Sequence, residues 1–473
     1  MDVRTRTILS RRTSVPCIVA VSLFLVAAIV PVASAARVDR SFGTNGTVIT
    51  KSGVPVIAPG VSGEYTGNAW TIVQDRYGRV LAGGGSGGNS MVTRYRRDGS
   101  LDPTFGKNGI SVFRPPLYFD NPTKGKARVK AMAVLPSGRI VLAIQENVLT
   151  SVEMRATELE RMRLLPNGLP DQSFSFDFGD DPNSEMGPGF VGPAQHRPKA
   201  IALRPDGSFL IAGDQEWNTG ERNGGLRGFV AAFKSDGRVD LDFGPRDGGA
   251  IRLYSPRWPW YSGIRGMIRL KSGKILVGGD SLNRFMVGRL TPGGLWDRTF
   301  GTGNGRTLVN LKNTKGKPCY CAIGYAMARD RNGRIYLSGW SSPDGSFKGQ
   351  RILNVLRFRP NGRIDRTFGK NGRTAIDVGE TISVTSMSVH PNGRIYVTGE
   401  MGYRVDPRFA VFAFRSSGRV DRSFFGNGRY VTRIGKYSTA SDSLIDKQGR
   451  LVVSGGTDRD GDASFLIKRF IVK

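Results

Sequence analysis

The sequence predicts an all-β fold, a seven-bladed β-propeller closed by pairing of the N-terminal strand with the C-terminal blade. Three observations carry this: 64 glycines in 473 residues that recur at fixed phase, no sustained helical apolar period after the N-terminus, and one repeat split between the two ends of the chain. Glycines at fixed phase mean many tight turns between short strands. A period of tens of residues points to a solenoid or a propeller.

Residues 1–35 read as an export signal. Arg4, Arg6, Arg11 and Arg12 precede an apolar stretch over residues 18–32, and Ala33-Ser34-Ala35 offers a small-x-small cleavage pattern. The mature chain is therefore expected to begin at Ala36 and to fill residues 36–473 with a single propeller. The alternative is an uncleaved anchor, but about fifteen apolar residues interrupted by Pro31 fall short of a comfortable span. Ser10-Arg11-Arg12 faintly resembles a twin-arginine signal, yet Ser14 stands where that pattern wants a bulky apolar residue, so the export route stays open. No later segment reads as a second anchor.

Two signatures alternate along the mature chain. The first is a turn followed by a strand and a small residue, as in Pro391-Asn392-Gly393-Arg394-Ile395-Tyr396-Val397-Thr398-Gly399. Its turn glycine recurs at Gly78, Gly138, Gly207, Gly273, Gly333, Gly393 and Gly449, at intervals of 60, 69, 66, 60, 60 and 56. Asn-Gly, Asp-Gly and Ser-Gly turns flanked by apolar and β-branched runs are hairpin signals.

The second signature is Asp-x-x-Phe-Gly-x-Asn-Gly, present from Asp39, Asp102 and Asp365, with looser copies from Asp171, Asp240, Asp297 and Asp421. The aspartate can cap its own turn. The phenylalanine, its one large apolar residue, is expected to be buried beside the neighbouring unit. An aspartate repeated in every unit is structural rather than catalytic, because an active site is single. A third strand lies between the signatures (Phe285-Met286-Val287-Gly288-Arg289-Leu290 is one), and a fourth follows the second, as in Thr47-Val48-Ile49-Thr50. Four antiparallel strands per unit make a propeller blade. The last unit stops after its third strand, while residues 38–50 supply the missing signature and fourth strand, so the ends are expected to pair. The second unit departs most: Ile144 replaces the small glycine, and Phe174-Ser175-Phe176-Asp177-Phe178-Gly179 shifts the phenylalanine-glycine step.

These two linked signatures resemble the delta-60 repeat proteins of bacteria over essentially the whole mature chain. The resemblance implies secreted or surface-located repeat proteins with a propeller-like architecture. It implies no activity and supplies no catalytic residues.

The formal charge is +30; residues 1–35 contribute four arginines minus Asp2, or +3, leaving +27 on the mature chain. Such a surface attracts polyanions. The excess is mostly arginine spread without a basic block, which base composition of the source genome would equally produce. Cys17 lies in the signal, and Cys319 and Cys321 stand two apart as a strained disulfide or free thiols, too few for a four-ligand metal site. Asp458-Arg459-Asp460-Gly461-Asp462 reads as a solvated turn rather than a calcium loop. His390 precedes a repeated turn and reads as structural, and His196 as a lone loop histidine. No catalytic motif, cofactor site or metal site is expected.

Strand parity puts the repeated turns at one end of the ring and the irregular loops at the other. Function favours variable loops on a rigid scaffold. Trp258, Trp260 and Tyr261 are placed in a crossover loop, and Trp217 and Trp340 in second-to-third connections, as a candidate ligand face. The reading is a secreted, monomeric, non-enzymatic binding or scaffold module for an extracellular glycan, polyanion or protein. The alternative is a propeller lyase or hydrolase acting on extracellular polymers.

Overall fold

The structure, a computed structural model, describes residue 1 and residues 36–51, 67–113, 126–149, 155–174, 195–217, 225–245, 249–253, 262–311, 322–343, 351–402, 406–459 and 463–472. Outside them lie the expected export signal beyond Met1, the Cys319–Cys321 pair and part of the aspartate-rich turn near Asp460.

Short antiparallel strands joined by tight turns form the ring. Three sheets have four strands each, for example Ile382–Val389, Ile395–Met401, Arg408–Phe414 and Arg429–Thr432 from the centre outward. The other two are larger, with nine and seven strands. The propeller class stands, but the expected seven blades are corrected: counted by continuous hydrogen bonding, the ring has five.

Single bridges at two seams make the difference. Gly456 of Leu451–Thr457 pairs with Asn68 of Asn68–Gln74, where Gly67, Gly455 and Gly456 carry no side chains to hold the backbones apart. At the other seam, the ten-residue strand Arg155–Leu164 reaches the nine-residue strand Gln195–Leu203 in a parallel bridge, Thr157 to Gln195. Strands of seven residues elsewhere stop short of their neighbours.

The chain ends meet in the nine-stranded sheet. Thr47–Thr50 runs antiparallel to Ser464–Ile471, with Thr47 opposite Lys468 and Thr50 opposite Phe465. That pairing covers an edge that would otherwise offer free N–H and C=O groups to another chain.

The second signature builds the contact between neighbouring units. Phe42, Phe105, Phe174, Phe243, Phe300, Phe368 and Phe424 are all buried. Phe174 takes this place in the irregular second unit, so its Asp171 to Phe174 step keeps the common register. In five copies an arginine holds the aspartate, eight residues before it in four and, across the closed ring, Arg469 on Asp39 in the fifth. Arg357 donates from Nε to Asp365 at 2.7 Å, from Nη1 to the Ser416 carbonyl of the neighbouring sheet at 2.7 Å, and from Nη2 to Thr367 at 2.8 Å. Its guanidinium also stacks 4.8 Å from the Phe368 ring centre. Arg94, Arg163 and Arg469 repeat the three-way lock, while Arg289 makes the aspartate and hydroxyl contacts. Where alanine stands instead (Ala232 and Ala413), Arg204 and Arg394 take Asp240 and Asp421. Burial works to raise these carboxyls, yet the adjacent hydroxyl and arginine hold Asp39, Asp102, Asp171, Asp365 and Asp421 below their ordinary values.

Candidate functional site

The centre of the ring is a cavity of about 360 Å³ lined by the innermost strands, at the low end of the size range for small-molecule sites. Its lining follows from one local feature. Along the six inner strands Asn68–Gln74, Lys126–Val134, Gln195–Leu203, Ser262–Arg269, Ala322–Arg329 and Ile382–Val389, the pairing skips a residue at the same step. The unpaired residues are Trp70, Lys130, Lys199, Arg265, Tyr325 and Thr385, and all six line the cavity. Each lies eight residues before a repeated turn glycine, and Ser441, eight before Gly449, completes the circle. A β-bulge places two residues opposite one and re-aims a side chain. Here it turns one residue per unit inward.

The small residue that ends the first signature faces this bulge. A Cβ on Gly399 would come within 2.0 Å of the Ser383 carbonyl oxygen, and Gly84, Gly279, Gly339 and Gly455 stand against the equivalent carbonyls just as closely. The repeated glycine thus lets the bulged strand press against its neighbour. Ile144 takes its place opposite Val129 in the second unit, where the bulge at Lys130 is retained.

In order around the ring, Lys130, Lys199 and Arg265 form a cationic arc on three neighbouring strands, flanked by Trp70 and Tyr325. The Lys130 ammonium sits 3.5 Å from the Trp70 ring centre, and the Arg265 guanidinium 5.1 Å from that of Tyr325. Behind Arg265, the buried Asp214 approaches Nη1 at 2.8 Å and the buried Asp280 approaches Nε at 3.7 Å. Burial disfavours the Arg265 charge, but these two carboxylates hold its pKa above the ordinary value. Burial also pushes Asp280 up to about 7, with Arg265 opposing and Asp214 adding to the rise. Lys199 is pushed down to about 8 by burial and then by the Arg265 charge. Among the described residues its ammonium makes no hydrogen bond or ion pair.

The opposite arc is oxygen-rich. Asp442 accepts from the Ile72 and Ser443 amides at 3.0 and 2.8 Å and from the Ser386 hydroxyl at 2.7 Å. Burial nevertheless raises its pKa. Thr385 donates to the Ala440 carbonyl at 2.7 Å. This arrangement can hold a ligand with an anionic end and a hydroxylated body. No group of three or more His, Cys, Asp or Glu with metal-binding geometry occurs among the described residues.

Of the five residues expected from sequence, the one whose side chain is described, Trp340, does not line this cavity. Trp258, Trp260 and Tyr261 fall outside the described residues. Trp217 is the last residue of the strand Phe209–Trp217. Trp340 is not in a connection but inside the strand Ile335–Ser341, 3% exposed, with the Arg351 guanidinium 3.9 Å from its ring centre. Its strand runs two residues past the expected small residue Gly339. His196 likewise sits in a strand, buried edge-on to Phe229. His390 is structural: its Nδ1 accepts the Asn392 amide, and Nε2 meets the Gly449 carbonyl of the next hairpin at 3.2 Å. The cavity residues escaped sequence reasoning although their signal is periodic: a site eight before each turn glycine that changes from Trp to Lys, Arg, Tyr, Thr and Ser.

A family model described as a β-propeller domain of unknown function, DUF5122, matches residues 331–368. That segment holds both signatures of one unit, from the Gly333 turn to Phe368. No curated protein matches the chain. Among solved structures it is similar to a protein of unknown function from Dyadobacter fermentans (12% identity, TM-score 0.40, covering 72% of this chain and 94% of that one). It is also similar to Sqt1 from Chaetomium thermophilum, at 11% identity and TM-score 0.37, covering 86% and 97% of the two chains. A third is the PQQ-bound aldose sugar dehydrogenase of Streptomyces coelicolor (13%, 0.31, 74% and 99%). The match and the strand order together make this chain a β-propeller of repeat type.

Proposed function

We propose that the protein is a non-enzymatic binding module of delta-60 type, exported and cleaved before Ala36, with its ligand held in the central channel. One observation carries the choice of site: the bulge turns one residue of each unit into a single cavity, and on three neighbouring strands that residue is a cation, Lys130, Lys199 and Arg265. Sites on strands are also positioned more rigidly than sites on loops.

The test is a thermal-shift panel of neutral sugars, sugar acids and small organic acids on residues 36–473. Ligand at about 100 times its dissociation constant stabilises a protein by roughly 2.7 kcal/mol, which such an assay resolves. The control is Thr385→Trp, which fills the cavity at a position where another unit already carries Trp70. Stabilisation seen in the unsubstituted protein and absent in Thr385→Trp supports the channel. Stabilisation that survives Thr385→Trp but disappears in Trp258→Ala with Trp260→Ala moves the site to the loop face.

One observation favours an enzyme instead: an amine titrating near neutrality, as Lys199 does, suits a general base. Turnover of an extracellular polymer by the unsubstituted chain, lost in Lys199→Met, would establish that reading.

A further inference from the structure

Resting on the channel as the binding site, we propose that its ligand is a polyhydroxylated anion of about one sugar unit. Its carboxylate or phosphate lies on the arc of Lys130, Lys199 and Arg265, and its hydroxyls face Thr385 and Asp442. The arc brings three cations to neighbouring strands, and they are differently engaged. Arg265 is fixed from behind by Asp214 and Asp280, while Lys130 lies over Trp70. Lys199 opens into the cavity with no hydrogen bond or ion pair to any described residue. Its carboxylate neighbour, Asp214, is held by Arg265 at 2.8 Å, so the arc keeps an excess of positive charge that an anion from solution offsets.

The far side selects the other end of the ligand. The Thr385 hydroxyl gives its proton to a backbone carbonyl, so what it offers a ligand is an acceptor lone pair. Asp442 accepts from Ile72, Ser443, Ser386 and Thr71, so it contributes an oxygen-rich wall fixed in place rather than a free lone pair. Acceptors opposite cations call for a ligand that donates hydroxyls at one end and carries charge at the other. Trp70 and Tyr325 at the ends of the arc add aromatic surface to the cavity wall, on which the C–H groups of a sugar ring can pack. The volume of about 360 Å³ leaves room for one such unit.

Calorimetric titration of residues 36–473 with D-glucuronate, glucose 6-phosphate, glucose and acetate tests this. Glucuronate or glucose 6-phosphate should bind at least about tenfold tighter than both glucose and acetate, since a hydrogen bond to a charged group contributes that much or more. The ratio between the two anions tells carboxylate from phosphate. Lys199→Met should erase the preference over glucose. Lys199→Thr is the second variant, chosen because the equivalent site already carries Thr385. Glucose binding as tightly as either anion, yet blocked by Thr385→Trp, overturns the anion assignment and leaves the channel as the site. An anion preference unchanged in a folded Lys199 variant overturns it too, as does the failure of all four probes. Anion binding that persists in Thr385→Trp removes both the assignment and the channel.

Discussion

Replacing Arg357 by methionine keeps much of the side-chain volume and deletes the charge, so its effect isolates the lock between neighbouring units. Arg357 and Asp365 are both buried, and the arginine supplies the aspartate bond at 2.7 Å, the Ser416 carbonyl bond at 2.7 Å and the Thr367 bond at 2.8 Å. Its loss strands a buried carboxylate, whose remaining donors are the Thr367 amide and hydroxyl. Breaking such a pair costs about 3–5 kcal/mol. At ordinary unfolding entropies, a chain of this length should lose roughly 4 °C of melting temperature. Adding Asp365→Asn should recover part of that, because no charge is then left unpaired. Acid supplies a second readout. The folded pKa of Asp365 is lowered, so its contribution is present above the unfolded value of about 3.9 and is lost as pH falls through the folded value. In Arg357→Met burial dominates and the folded pKa rises above the unfolded one, so the deficit should shrink as pH falls from 7 to 4. The assay is scanning calorimetry of both variants at pH 7 and pH 4. A single variant that melts within 1 °C of the parent at pH 7, or a deficit that grows on acidification, would refute the reasoning.

Four further outcomes follow from the same geometry. Gly399→Ala puts a Cβ 2.0 Å from the Ser383 oxygen, so it should cost on the order of 2 kcal/mol in urea denaturation and weaken any Thr385-dependent binding; a neutral result would mean the bulge relaxes freely. Anion affinity should rise as pH falls from 9 to 6, since Lys199, near 8, and Asp280, near 7, both gain protons beside Arg265, Asp214, Arg197 and Lys130; titration calorimetry in two buffers should show proton uptake, and a flat profile would count against these residues. Deleting residues 36–50 uncovers the edge of Ser464–Ile471 and should cause aggregation by light scattering; a monomeric deletion would show that the edge is protected otherwise. Retention on DNA or an acidic polysaccharide should fall steeply with salt if the +27 mature charge binds polyanions, whereas no retention at low salt leaves base composition as the explanation.

Much of the fold is legible because its signals are local. Arg394-Ile395-Tyr396-Val397 after an Asn-Gly turn reads as a strand, and Ile395–Met401 is one. The phenylalanine of the second signature is legible as a buried contact because it is the only large apolar residue in a polar turn. The blade count is not legible in the same way. Whether Gly456 bonds to Asn68 depends on how closely two strands approach at one seam, and no periodicity encodes that. Trp340 was misplaced because Trp340-Ser341 follows Gly339, a small residue that looks like a strand end, whereas the strand continues with the Trp340 ring turned into the core. The channel stayed hidden for a sharper reason. A bulge shifts alternation by one residue within a strand, so Lys199 and Tyr325 read as ordinary outward positions between apolar neighbours.

The bulge also changes what the basic composition means. Arginines at the turn end, such as Arg94, Arg163 and Arg357, each pair with a buried aspartate, so they add more to the arginine count than to the field. Lys199 is the opposite case, a cation with no ion pair or hydrogen bond to any described residue, its neighbour Asp214 being held by Arg265. The first group occurs because every unit needs the same contact, and its loss should be felt as stability. The second stands at a position that carries lysine here and at Lys130 and a different residue in each of the other units. If both lysines and arginines had accumulated through base composition alone, the bulged positions would be no more varied than the lock positions. They vary across six residue types in seven copies, while the lock keeps arginine in five of seven and rebuilds the pair from another strand in the rest. Substitutions at the two kinds of site should therefore separate cleanly: Arg357→Met should lower the melting temperature, and Lys199→Thr should leave it within about 1 °C while changing what the channel holds. A Lys199→Thr variant that melts as low as Arg357→Met would place Lys199 among the residues that hold the ring together.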